Sequence, residues 1–192
     1  MPILFSALLS LVVAWLRGTS PLALGGIRLR RPVLPLVALG LQWLGFVVFA
    51  SRGGSPPAGS AWYALPVQLA SLGLLLAFVA ANRHYRSLLL VGLGVALNLV
   101  VVAANGGYMP VRAADVARIG LPEVAAQLET EGYFQKSRAL DEHTRLALLA
   151  DVIHVPFFGA GRMVSAGDVL VAAGVFLFIQ EALVATRAPV YT

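Results

Sequence analysis

The sequence predicts an all-α protein: a polytopic bundle of about five transmembrane helices with a short extracytoplasmic two-helix cap, the whole of 1–192 forming one membrane domain. Three observations predict it. Apolar residues make up 59% of the 192 and charged residues 12%, about half the charged share of an ordinary soluble domain. That leaves too little polar surface to cover a water-facing globule, and the mean hydropathy is +0.83. Apolar runs of membrane-crossing length recur along the chain, with one polar stretch, 105–164, before the last of them.

A helix needs about 20 apolar residues to cross roughly 30 Å of hydrocarbon. Residues 2–16 fall short, so crossing there needs a thinned bilayer or snorkelling ends. They look like a signal-peptide core, yet no basic stretch precedes them and Arg17 stands where a small-residue cleavage site belongs. They read as a retained first span. Residues 17–31 (RGTSPLALGGIRLRR) are broken by Pro and Gly and form an interfacial turn with four arginines. The remaining spans are 32–50, 63–82, 87–104 and 165–183.

Flanking arginines orient these spans. Arg17, Arg28, Arg30 and Arg31 lie in the first connection, Arg83 and Arg86 in the third, and Arg187 in the tail; the second connection has only Arg52. Segment 105–164 holds six basic and seven acidic residues and has no basic excess. By the positive-inside rule the N-terminus lies outside and the C-terminus in the cytoplasm. Trp62 and Tyr63 then fall at the outer interface and Trp15 at the inner one. Gly73, Ala77 and Ala81 on the third span, with Gly92 and Ala96 on the fourth, offer small-residue faces for close helix packing. An Ala- and Gly-rich composition accounts for part of that pattern.

In the polar segment, Asn105-Gly106-Gly107 is a turn at the end of span four. Pro122 opens a short helix (PEVAAQLETE) that Gly132 closes. A second helix is expected over about 139–151, with Leu146, Leu149 and Ile153 as its apolar stripe. Val155-Pro156-Phe157-Phe158-Gly159 leads back toward the bilayer.

Polar residues inside spans mark the candidate site. Gln42, Gln68, Asn98, Asn105 and Asp168 all fall in the outer half of the spans, under the cap, where they would line one ligand cavity. The competing reading is interhelical hydrogen bonding by the amides, at about 0.6 kcal/mol each. Ser165-Ala166-Gly167-Asp168 has the S-x-x-D form of a capping box, which makes Asp168 first a helix cap. Glu181 lies at the depth of Arg83, Arg86 and Arg187, as an ion-paired or snorkelling carboxylate would.

The chemistry of other classes finds little support. The basic residues, 14 in all and 13 of them Arg, are scattered, and seven flank spans. They therefore mark topology and indicate no nucleic-acid partner. The absence of cysteine excludes disulfides, thiolate metal sites and cysteine nucleophiles. Asp141, Glu142, His143, Asp151 and His154 form the richest polar cluster. On one helix His143 and His154 would stand about 16 Å apart, too far to share a metal. No G-x-S-x-G, H-E-x-x-H, Walker A or G-x-G-x-x-G motif occurs. No catalytic or metal-binding residue is assigned, and no cofactor is indicated.

Asn105-Gly106-Gly107-Tyr108-Met109-Pro110-Val111, Leu149-Ala150-Asp151-Val152-Ile153 and Ser165-Ala166-Gly167-Asp168-Val169-Leu170 resemble three landmarks of a family of small bacterial polytopic membrane proteins known only as a domain of unknown function. The resemblance implies a bacterial cytoplasmic membrane and a shared fold, and no substrate, cofactor or catalytic residue. The functional expectation is a non-enzymatic membrane protein acting by binding, either as accessory subunit of a membrane assembly or as binder of a lipid or lipophilic small molecule. Its partners would be the bilayer and other membrane proteins. The alternatives are a small transporter or channel, at which only Pro66 and the short first span hint, and an enzyme acting on lipids.

Overall fold

A computed structural model describes residues 2–50, 61–156 and 161–185. Among them are helices α1 (Pro2–Leu16), α2 (Val33–Ala50), α3 (Ala61–Ala81), α4 (Arg86–Ala104), α5 (Ala113–Arg118), α6 (Pro122–Glu131) and α7 (Ala166–Ala185). Five short strands accompany them: β1 (Met109–Val111), β2 (Tyr133–Phe134), β3 (Ser137–Ala139), β4 (Ile153–Val155) and β5 (Arg162–Val164). Among the described residues, three helical stretches are long and apolar enough to cross a membrane: Ala64–Ala81, Arg86–Ala104 and Ala166–Val184. The apolar stretches Ile3–Leu16 and Val33–Gly45 are shorter.

The long helices stand in a row, α1–α7–α4–α3–α2, each packed chiefly on its neighbour in that order. The centre is α4 against α7, where glycine removes the Cβ atoms that would hold the backbones apart. A Cβ on Gly94 would meet Gly167 O and Val171, and one on Gly174 would lie 2.7 Å from Val91 N. Gly92, one of the small residues singled out in the sequence, faces Val79 of α3. Gly73, another of them, faces open space and makes no close contact.

The outer members of the row are polar and small inside, large and apolar outside. On α1, Ser6, Ser10 and Ala14 recur every four residues and are buried, while Leu4, Leu8, Val12 and Trp15 are exposed. Ser6 Oγ donates to Ala172 O, Ser10 Oγ donates to Phe176 O at 2.8 Å, and Gln180 Nε2 donates to Ser10 O at 2.7 Å. These pairs rise together in number, so α1 and α7 run parallel. On α2, Ala38 is buried and Trp43 is 65% exposed. Water does not tolerate apolar faces of this extent, and hydrocarbon does.

The two ends of the row differ. At one, here the arginine end, residues 17–31 form a strap from α1 to α2. A 3-10 turn, Pro21–Gly26, sets Ala23 and Leu24 on Ile179 and Leu183 of α7. Further on, Arg30 is held by Asn82 at the end of α3. Arg83 and Arg86 lie at the same end. Glu181 accepts hydrogen bonds from the backbone N–H groups of Arg86 (3.1 Å) and Ser87 (3.0 Å) and from Ser87 Oγ. It therefore caps α4 from a neighbouring helix, where the sequence suggested an ion pair or a snorkelling chain. Arg52 and Arg187 lie outside the described residues, and the side chains of Trp62 and Tyr63 are likewise undescribed.

At the opposite end, 105–164 folds over α4. Gly106 and Gly107 take φ of +70° and +97°. A Cβ on Gly107 would lie 2.5 Å from Leu65 N, so the turn is pinned on the start of α3. β1 pairs parallel to β3, β2 antiparallel to β3, and β4 antiparallel to β5. Val111, Val116, Ala125 and Leu128 form a small core with Phe134 and Met163 around it. α6 begins at Pro122 and stops at left-handed Gly132 (φ +77°), as expected.

The helix expected over 139–151 does not form. β3 ends at Ala139, a turn follows, and only Ala147–Leu149 coil as a 3-10 turn. The Asp141 carboxylate accepts from His143 N–H and Thr144 Oγ1, both at 2.9 Å, and such local bonds compete with helix. Leu146 is left-handed (φ +57°), and Ile153 sits on β4, so the expected apolar stripe is absent. The second short helix of this segment is α5, which the sequence reading missed. Phe157, Phe158 and Gly159 lie outside the described residues.

Candidate functional site

The junction of α4 and α7 below the polar segment gathers the polar side chains of greatest interest. Ser165 and Asp168 form the capping box their spacing predicts: Asp168 N–H donates to Ser165 Oγ at 2.9 Å, and Ser165 N–H to Asp168 Oδ2 at 3.4 Å. Asn98 of α4 closes the network. Its Nδ2 donates to Asp168 Oδ1 at 2.9 Å, and its Oδ1 accepts from Ser165 Oγ at 2.8 Å. Gly167 makes this possible, because a Cβ there would collide with the Asn98 carboxamide. An amide, a hydroxyl and a carboxylate are thereby fixed with their mutual bonds satisfied.

Asp151 is the exception. Its N–H donates to Pro110 O at 3.0 Å, which anchors it to β1 by an isolated parallel bridge. Its Oδ1 is enclosed and has no hydrogen-bond partner, the only such buried side-chain atom among the described residues. Burial, then the negative charge of Asp168, raise its carboxyl to about 7 against the opposing pull of Lys136. A carboxyl in that range shares its time between acid and carboxylate near neutrality and can present either a donor or an acceptor.

The residues expected to line one cavity are distributed differently. Asn98 and Asp168 are bonded to each other. Asn105, buried two turns beyond Asn98, donates to Val101 O (2.8 Å) and Arg145 O (2.9 Å) and accepts from Arg145 N–H (3.0 Å), clamping the loop onto α4. Gln42 donates to Ser71 Oγ at 3.2 Å, tying α2 to α3, and half-buried Gln68 stands one turn before Ser71. The sequence placed Asp151 on a solvated helix face. Ser165 as a partner for Asn98, and buried Asn82, carried no signal beyond their positions at span ends.

Asp141, Glu142, His143 and His154 are exposed. The Arg138 guanidinium, bonded to Asp141 at 2.6 Å, holds that carboxyl below its usual range. His143 lies near Glu142 and His154 on β4, in separate structures and not on a common helix.

No curated protein and no solved structure matches the chain. The model of a family of unknown function, DUF5317, matches residues 26–180. That stretch holds α2 to α6, three-quarters of α7 and the residues Asn98, Asp151, Ser165 and Asp168, and leaves α1 outside. On that match the chain belongs to the DUF5317 family.

Proposed function

We propose that this protein is a multi-pass protein of the bacterial cytoplasmic membrane that acts by binding a lipophilic molecule with a polar head, which it takes at the α4–α7 junction. The observation that carries this reading is the enclosed, unpartnered Oδ1 of Asp151, a carboxyl on which the charge of Asp168 acts. Buried polar atoms are rarely left unpaired, and a hydroxyl or amine on a ligand would complete this one. An apolar ligand body suits helices whose outer faces are already apolar.

The topology that accompanies the proposal is five crossings, with the N-terminus and 105–164 outside and the C-terminus in the cytoplasm. Its support is the segregation of Arg17, Arg28, Arg30, Arg31, Arg83 and Arg86 to the end opposite 105–164. α1, at 15 residues about 22 Å long, is the short member. With no native cysteine, single reporters are clean: cysteine at exposed Glu142 should react with an impermeant maleimide in intact cells, and cysteine at His84 should not. The reverse labelling would overturn the orientation.

The binding test is native mass spectrometry of protein purified from its own membranes in mild detergent. A stoichiometric small-molecule adduct that Asp151→Leu abolishes is the expected result. Stoichiometric proteins with no adduct would favour the second reading, an accessory subunit, for which the exposed apolar faces of α1 and α2 speak. Of the two hints at a transporter, Pro66 and the short first span, the first is weakened because α3 runs through Pro66 unbroken.

A further inference from the structure

The arginine end has a fixed geometry that charge-based topology does not require. Asn82, fully buried, accepts from Arg30 N–H at 2.7 Å and donates to Arg30 O at 2.8 Å and to Phe78 O at 2.9 Å. The next residue, Arg31, takes φ +54°, a region that long side chains rarely adopt. Arg28, Arg30 and Arg31 are all exposed. The positive-inside rule operates on the charge count of a loop and asks for no clamp.

Compensating acid is scarce there. No Asp or Glu occurs before Asp115, and Glu181 is engaged with the first amides of α4 and with Ser87. The same surface carries Trp15, 68% exposed, and Leu22, 89% exposed. Apolar and guanidinium side chains thus share one face, the composition of a surface seated at the boundary between acyl chains and headgroups.

We infer that the strap is a binding site for the phosphate headgroups of anionic phospholipids, with Arg28, Arg30 and Arg31 as its contacts and Arg83 and Arg86 at its edge. A guanidinium pairs with phosphate through two parallel N–H bonds, and a backbone held by Asn82 keeps three of them in constant register. The bilayer supplies this anion at the depth where the strap lies. The inference rests on the membrane-spanning reading and is independent of the ligand at Asp151.

The test uses the full chain in mixed micelles of phosphatidylglycerol and phosphatidylcholine at equal amounts, with bound lipid read by native mass spectrometry. Wild type should retain phosphatidylglycerol in preference. At about fivefold per arginine, R28Q/R30Q/R31Q should lower that preference by roughly a hundredfold and leave phosphatidylcholine unchanged. R112Q/R118Q/R145Q removes the same charge from exposed positions in 105–164 and should leave the preference intact. Equal retention of both lipids by wild type, or equal losses in the two triple variants, would overturn the inference. So would strap-dependent capture of an acidic protein without lipid preference.

Discussion

At the arginine end, the side chains of Asn82 and Glu181 are both bonded to backbone: Asn82 to both faces of Arg30, Glu181 to the opening amides of α4. At the far end, Asn98, Ser165 and Asp168 satisfy one another, and Asp151, anchored to β1, keeps one oxygen bonded to nothing. The first arrangement is complete as it stands. The second has hydrogen-bonding capacity left over, and a buried group without a partner stabilises nothing. The contrast separates polar residues that build the fold from one that is free to meet a proton or a ligand.

The largest test of this contrast is the pH dependence of stability. The Asp151 carboxyl is raised in the folded protein, from 3.8 to about 7, so the folded state holds its proton more tightly than the unfolded chain. Its contribution is therefore most favourable below about pH 4, is lost as pH rises toward 7, and is constant above. Unfolding in mixed micelles should show wild type losing roughly 2–4 kcal/mol over that window, and Asp151→Asn should flatten the curve. An unchanged slope in the variant would mean that Asp151 is hydrated and that the contrast is unreal.

Next in size is Gly167→Ala, which drives a Cβ into the Asn98 carboxamide. We expect a loss of about 3 kcal/mol, and Asn98→Ala in the same background should recover part of it by making room. Asn82→Ala removes three hydrogen bonds at the complete end and should cost about 2 kcal/mol at every pH, with no dependence on Asp151. A pH-dependent loss would tie the two ends together. Gly73→Ala is the smallest: its Cβ meets nothing, so helix propensity alone should raise stability by up to about 1 kcal/mol.

Much of the fold was legible because its signals are local. Apolar runs mark α3, α4 and α7, and Pro122, Gly132 and the Ser165–Asp168 spacing mark helix ends by chemistry that acts within one turn. The polar segment was legible only in part. Its strands are two or three residues long and exist through pairing with distant partners, β1 with β3 and Pro110 with Asp151. The 139–151 stretch has helical periodicity, yet Asp141 ties up the local amides before a helix can start. In the candidate site, Asn98 and Asp168 were legible as polar residues in apolar surroundings. Asp151 was not, since its burial follows from a bridge across some forty residues of sequence.

The order of helices in the row bears on how the chain is made. Among the described helices α1 is made first and its partner α7 last, 166 residues separating Ser6 from Ala172. At about 5–20 residues per second this is a delay of roughly 10–30 s, during which Ser6 and Ser10 lack their α7 carbonyls and have only those of their own helix to bond. A chain stopped after α6 would leave both α1 and α4 without their main neighbour.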